Sequence, residues 1–211
     1  MLLTQQMISV VAHFEFAKVM FKCGDDLRQD ILTLQLISIM DALWLNTNLD
    51  LNMRTYQVIG TGYQVGMLEL VLNSKTTNDI GIRKKNAHLK YIGTKTAVNG
   101  HLDLVQKKDN YARSVAGFSV ASWVLGIGDR HPDNIMVHQD GSLFHIDFGH
   151  FLGNFKEKEI GGLVKWKRER TPFVFTAAMK YCIEGKLKSS AKKEQYGMWV
   201  YVLYAHFILN M

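Results

Sequence analysis

Two short stretches hold the residues best suited to chemistry: Gly128-Asp129-Arg130-His131-Pro132-Asp133-Asn134 and His145-Ile146-Asp147-Phe148-Gly149-His150. Asn134 and Asp147 are hard oxygen donors of the kind Mg²⁺ takes. That ion usually binds one or two such groups plus phosphate oxygens rather than a closed protein cage. Asp129 adds a carboxylate that can accept a proton. The residue types therefore point to metal-assisted phosphate chemistry.

Such chemistry requires the two stretches to meet. Between them run Ile135-Met136-Val137-His138, then Gln139-Asp140-Gly141-Ser142, then Leu143-Phe144-His145-Ile146. Two apolar runs around an Asp-Gly turn predict a β-hairpin, which returns Asn134 and Asp147 to the same end. His138 and His145 are read as ordinary strand residues. Upstream, Phe14 to Phe21 predicts a strand carrying Lys22 at its end. Asp25 and Asp26 offer N-cap chemistry for a helix with apolar residues at Leu27, Ile31, Leu34, Ile37, Met40 and Trp44. Met53 to Ile59 and Val65 to Leu72 read as strands around a turn at Gly60-Thr61-Gly62, while 73–101 is polar and carries no clear pattern. A second helix is expected over 102–125, its face formed by Ala112, Val115, Ala116, Ser119, Val120 and Trp123, mostly small side chains that favour close packing. A further helix is expected to start near Pro172. Tyr196 to Met211 is apolar but shorter than the roughly 20 residues that cross a bilayer, and it contains His206, so it reads as a buried helix.

The chain has 211 residues and a net charge of +6, with an isoelectric point near 9.2. That balance suits an anionic partner: nucleic acid, a membrane surface or a phosphorylated substrate. Cys23 and Cys182 form neither a disulfide framework nor zinc-ligand spacing, which fits a reducing interior. The first twenty residues lack a basic start and are interrupted by His13, Glu15 and Lys18, so no signal peptide is expected.

Protein kinases hold Mg²⁺ with a catalytic-loop Asn and the Asp of Asp-Phe-Gly, and a nearby Asp accepts the substrate hydroxyl proton. Here the loop reads Asp129-Arg130-His131, the reverse of the His-Arg-Asp order of protein kinases. With Phe21-Lys22-Cys23-Gly24-Asp25-Asp26-Leu27-Arg28-Gln29-Asp30, this order resembles the phosphoinositide 3- and 4-kinase superfamily. Leu125 to His131, Leu143 to Asn154, and Lys167-Arg168-Glu169-Arg170-Thr171-Pro172-Phe173 resemble class I phosphoinositide 3-kinase catalytic subunits in particular. The resemblance runs from about Val19 to Thr176. It implies an α+β, bilobal, protein-kinase-like fold. Residues 1–72 would be the remainder of a small lobe and the hinge. Residues 73–211 would be the front part of a helical large lobe with a catalytic loop at 126–134 and an activation segment at 147–171. The phosphate-binding loop and first strands of the small lobe, and the final helices, are expected to lie outside this length.

The same resemblance assigns roles. ATP and Mg²⁺ are the implied cofactors, with Asn134 and Asp147 on the metal. Lys22 would meet the ATP phosphates, Asp30 and Tyr56 would line the inner pocket, Leu68, Glu69, Leu70 and Val71 would form the hinge that meets adenine, and Met136 would also contact the nucleotide. The bland reading of Val65 to Leu72 is a buried strand. Asp129 would be the base, His131 the group at the γ-phosphate, and His150 an aid to proton handling. Arg130 is read as orienting the loop more than as a surface ion pair.

The segment from Phe148 to Thr171 carries six basic residues against three acidic ones, a net of +3. Near an anionic leaflet each basic residue is worth about 1 kcal/mol, which favours membrane docking and a phosphorylated headgroup over a soluble hydroxyl. Lys156, Lys158, Lys167, Arg168 and Arg170 are the expected substrate contacts. The second basic element of the class I pattern is intact. The first is diluted to Lys156-Glu157-Lys158, and Glu159 to Val164 lengthens the loop, which weakens the case for strict 4,5-bisphosphate preference. The expected reaction is 3-hydroxyl phosphorylation of membrane phosphatidylinositides by a cytoplasmic protein recruited to the plasma membrane, with no nucleic-acid partner. An adaptor subunit and a small GTPase would act through upstream domains. Two alternatives stand beside it: a related Ser/Thr protein kinase, and a catalytic-core fragment that binds without turnover.

Overall fold

The computed structural model describes residues 18–81, 86–94, 103–150 and 176–184, together with the backbone of 158–160 and 163–165. Strands β1 (Val19–Cys23), β2 (Val58–Gly62) and β3 (Val65–Glu69) form an antiparallel sheet in the order β1-β3-β2. Helix α1 (Arg28–Asn46) lies across one face. Gly66 permits this approach, since a Cβ there would stand 2.6 Å from the Leu27 side chain and 2.4 Å from the Ile59 carbonyl. Leu27, Leu34, Ile37, Met40 and Trp44 are buried as the helical spacing predicts, and Asp30 and Thr33 are buried beside them.

The helix start differs in detail from expectation. Its N-cap position is Leu27, which makes no side-chain cap. Asp26 instead accepts the Arg28 amide at 3.1 Å and grips the Arg28 guanidinium. Asp25 is drawn elsewhere, to Lys22. The first hairpin also departs from expectation. Gly60 and Gly62 lie within β2 at a bulge, and the chain turns at Tyr63-Gln64, where Gln64 takes a positive φ of 53°. Residues 53–57 are a connector, not a strand. Met53 packs over Gly117, Arg54 binds Asp140, and these ties hold the connector off the sheet.

The polar region left unassigned folds into β4 (Ser74–Thr76), α2 (Thr77–Ile80) and α3 (Ala87–Ile92). Thr76 caps α2 by accepting the Asp79 amide. Helix α4 (Leu104–Val124) begins where Asp103 accepts the Gln106 amide at 2.7 Å, an N-cap that a helix start needs to satisfy its free amides. Its small residues do bring a neighbour close: a Cβ on Gly117 would meet the Met53 sulfur at 2.3 Å. Trp123, expected on the packed face, is instead 56% exposed. Val115, Ala116 and Val120 are buried as expected, and the buried arc extends through Tyr111, Ser114, Phe118, Ala121 and Ser122. Strands β5 (Ile135–His138) and β6 (Leu143–His145) form the expected hairpin, with Ile135 opposite His145 and β4 on the outer edge of β5. Backbone strands β7 (Lys158–Ile160) and β8 (Leu163–Lys165) pair antiparallel with each other within the stretch read as a loop extension. Helix α5 (Ala177–Glu184) ends the described chain. Pro172 and the stretch from Tyr196 to Met211 lie outside the described residues. Among the described residues no helix is long and apolar enough to cross a membrane.

One buried core joins α1, β3, α4 and the β5–β6 hairpin. Within it His88 on α3 is fully buried, and its Nδ1 lies 2.5 Å from the Tyr111 hydroxyl. Burial pushes the His88 imidazole down to about 4. A histidine freed by unfolding takes up a proton near its ordinary value of 6.5, while the buried ring stays neutral until about 4. Stability is therefore present above pH 6.5 and is lost as pH falls toward 4, by about 2–3 kcal/mol from this residue. Urea unfolding at pH 7 and pH 4.5 should show that loss, and His88→Gln should flatten the slope. Parallel slopes for the two proteins would refute a neutral, buried His88.

Candidate active site

Helix α4 delivers the first chemical stretch directly. It ends at Leu125, and Gly126 then turns with a positive φ of 58° while the Ile127 amide reaches back to the Ser122 carbonyl at 2.9 Å. A left-handed residue at this point is the usual helix stop, and glycine adopts it without a Cβ penalty. Three residues later Asp129 takes φ 55°, and across the hairpin Asp147 takes φ 57°. Left-handed geometry costs a non-glycine residue about 1–2 kcal/mol, so each carboxylate must be held by its surroundings.

Arg130 supplies that hold. It is 7% exposed and lies between the two stretches. Its Nε donates to the Gly128 carbonyl at 2.7 Å, Nη1 donates to the Ile146 carbonyl at 2.8 Å, and Nη2 donates to the Asp147 carbonyl. The same guanidinium stands 5.5 Å from the centre of the buried Phe148 ring. The loop is closed further by the Ile146 amide on the Asn134 carbonyl and the Gly128 amide on the His150 carbonyl, both at 3.0 Å. Arg130 is thus an internal clamp, as the sequence reading favoured.

Asn134 is nearly buried, and its Nδ2 donates to the Asp129 carbonyl at 3.0 Å. With the amide nitrogen committed, the oxygen is the end left to act as a ligand. Asp147 lies at the same end of the hairpin and is exposed. One amide oxygen and one carboxylate suit Mg²⁺ completed by phosphate oxygens. Among the described residues no three His, Cys, Asp or Glu side chains converge into a protein-only metal cage.

The other residues expected at the site come from β1, α1 and the connector. Lys22, at the end of β1, pairs with Asp25 across the turn at Gly24, whose φ is 80°. Partial burial would lower the Lys22 ammonium, but Asp25, with Asp147 and Asp30 beyond it, outweighs this and holds it above its ordinary value. Asp30 accepts the Phe148 amide at 3.1 Å, tying α1 to Asp-Phe-Gly. Burial raises the Asp30 carboxyl, partly offset by that amide, and nearby Asp147 raises it further. Tyr56 is buried toward the same place, and its phenol is pushed well up by burial and by Asp30.

The structure thus gathers Lys22, Asp30, Tyr56, Asp129, Asn134 and Asp147 around the two loops. The proposed hinge is the end of strand β3. The Glu69 and Leu70 amides donate to Gln57 and Lys18, both at 2.8 Å. Among the described residues no backbone carbonyl takes the Val71 amide. Leu68 is buried in the sheet core, and Met136 lies on β5, half-buried. His131 is exposed, and its Nδ1 accepts the Asp133 amide at 3.2 Å, which leaves Nε2 to carry the proton in the neutral ring. Lys158 lies on β7, and Lys156, Lys167, Arg168 and Arg170 lie outside the described residues. Asp25 was read only as a helix cap. Its position three residues beyond Lys22, across a glycine, was the signal for the ion pair.

The family model for phosphatidylinositol 3- and 4-kinase matches residues 17–108 and 94–210. This chain belongs to that family. It is 48% identical over 176 residues to phosphatidylinositol 3-kinase 1 of Dictyostelium discoideum, a match covering 80% of this chain and 11% of that protein. Phosphatidylinositol 3-kinase 2 of the same organism is 44% identical over 192 residues, covering 88% of this chain and 10% of the relative. The human phosphatidylinositol 4-phosphate 3-kinase C2 domain-containing subunit beta is 42% identical over 183 residues, covering 84% of this chain and 11% of the relative. The chain therefore spans about a tenth of the length of the curated relatives it matches.

Within this family member the clamp has a measurable consequence. Arg130→Met removes the donors but keeps much of the volume, and leaves buried carbonyls unsatisfied at about 1–3 kcal/mol each. We expect a loss of about 2–5 kcal/mol in urea unfolding, together with faster hydrogen exchange at the Gly128 and Ile146 amides. Unchanged exchange at both amides would show that Arg130 does not hold the loops.

Proposed function

We propose that this chain is the catalytic part of a bilobal, ATP- and Mg²⁺-dependent phosphatidylinositol 3-kinase. It would transfer the γ-phosphoryl group of ATP to the 3-hydroxyl of the inositol ring of a membrane lipid. The observation that carries this reading is the junction of the two loops at the hairpin end, where the Ile146 amide meets the Asn134 carbonyl and Arg130 spans both. The names of the relatives supply the substrate class.

In this reading the 3-hydroxyl oxygen bonds to the γ-phosphorus as the bond to the β–γ bridging oxygen breaks, ADP leaves, and the hydroxyl proton passes to Asp129. Phosphoryl transfer runs through a loose transition state in most analyses, so positioning and charge neutralisation outweigh early proton removal. Bound Mg²⁺, held by the Asn134 oxygen and Asp147, would supply neutralising charge at the β- and γ-phosphates. Lys22 adds a cation, worth about 4 kcal/mol for a unit pair at 4 Å and an effective dielectric near 20, before desolvation. His131 Nε2 offers a proton donor to the γ-phosphate, and His150, backbone-linked to Gly128, steadies the loop. Val71 would anchor adenine. The basic segment from Lys156 to Arg170 would meet the headgroup and the anionic leaflet, with the protein drawn from the cytoplasm to the plasma membrane.

Phosphatidylinositol 4,5-bisphosphate is the favoured substrate. A monophosphate is the second reading, supported by the interleaved glutamates at Glu157 and Glu159 and by the human relative named for phosphatidylinositol 4-phosphate. Mg-ATP assays on vesicles carrying phosphatidylinositol, its 4-phosphate or its 4,5-bisphosphate, with chromatography of the product headgroup, decide among them. Asp147→Ala should abolish transfer. Asp129→Asn should cost about 10²–10⁴-fold in kcat, the range of a general base. Wild-type turnover by Asp147→Ala would remove the mechanism, and phosphate on serine or threonine peptides in place of lipid would move the chain to the protein-kinase alternative.

A further inference from the structure

The connector and the hairpin meet twice. At one end Tyr56 is buried next to the Asp147 backbone and Asp30, its hydroxyl making no hydrogen bond there. At the other, two residues before Tyr56, Arg54 reaches the hairpin tip: Nη2 donates to Asp140 Oδ2 at 2.6 Å and Nε donates to Ser142 Oγ at 2.9 Å. This second junction is built rather than incidental. Asp140 Oδ1 accepts the Ser142 amide at 2.8 Å and its hydroxyl at 2.7 Å, and lies 2.9 Å from His138 Nδ1. Asn110 on α4 donates to the Asp140 carbonyl at 3.0 Å. Gly141 sits so close to α4 that a Cβ would stand 2.0 Å from the Lys107 carbonyl. The Arg54 and Asp140 side chains are 31% and 20% exposed, so water screens the pair only in part.

A single contact lets two segments pivot about it, whereas two separated contacts set their angle. The hairpin carries Asn134 immediately before β5 and Asp147 two residues after β6, so its tilt determines where those oxygens lie relative to Tyr56 and Lys22. We propose that Arg54 and Asp140 form a positioning latch that sets the metal-ligand end of the hairpin against the inner pocket, so that Mg-nucleotide affinity depends on an ion pair touching neither group. This inference rests on the kinase reading above.

The test is a double-mutant cycle on the full chain, read by binding of Mg²⁺ with a fluorescent non-hydrolysable ATP analogue and by thermal unfolding in parallel. Asp140→Asn keeps an acceptor for the Ser142 amide, so the turn retains its local bond, and Arg54→Gln removes the charge from the other side. Each should raise the Kd about 3- to 30-fold, the range of coupling through a contact network, and the double variant should be no worse than the poorer single. Arg54→Lys, which keeps the charge without the planar fork, should recover part of the loss. Variants that melt earlier but bind the analogue as tightly as wild type would overturn the latch and leave the kinase reading standing. Wild-type protein that binds no Mg-nucleotide would overturn the kinase reading and the latch with it.

Discussion

A buried guanidinium facing backbone carbonyls is the constraint on which the two chemical loops depend. Arg130 donates to carbonyls before Asp129 and on either side of the Ile146–Asp147 peptide bond, and it rests over Phe148. Burying a cation away from water is costly unless its donors are satisfied, and here each of the three guanidinium nitrogens reaches a backbone carbonyl. Hydrogen bonds from a charged group are worth about 1.5–3 kcal/mol each in net terms, against about 1–2 kcal/mol for each left-handed aspartate. The bonds outweigh the strain. A lysine could not replace them, since its compact ammonium lacks the flat fork that reaches several carbonyls at once.

The surrounding structure can be understood as support for that clamp. Glycines allow the close approaches: Gly126 stops α4 three residues before Asp129, Gly66 lets α1 lie on β3, and Gly141 lets the hairpin tip press on α4. Asp30 then carries the arrangement into α1 by accepting the Phe148 amide. Rigid elements thus meet the loops from three sides, while Asp129 and Asp147 remain exposed.

Much of this was legible before any coordinates. The hairpin followed from two apolar runs around Asp-Gly, and the helix from Leu27 to Trp44 followed from its spacing, because local pattern dominates where one face is buried. Residue order at the two loops pointed to the kinase family, which the family model matches. Where reading failed, a distant contact had decided the outcome. Residues 53–57 have strand-like composition but leave the sheet because Arg54 and Met53 are bound to the hairpin and α4. Asp25 is the local exception: it looked like a cap but pairs with Lys22, three residues before it. Trp123 fell on the packed face by spacing and is exposed, while Val115, Ala116 and Val120 of that face are buried and the buried arc widens toward Tyr111 and Phe118.

The order of residues was enough to establish the family, the chemical groups and most of the elements that carry them, because these depend on residue type and short-range period. It could not establish that one arginine clamps both loops, that Asp30 reaches Phe148 across 118 positions, or that Arg54 meets Asp140. Those pairings depend on the angles at which α1, α4 and the hairpin pack. Such angles are set by side-chain volume and close approach between elements far apart in the chain, which no local window contains.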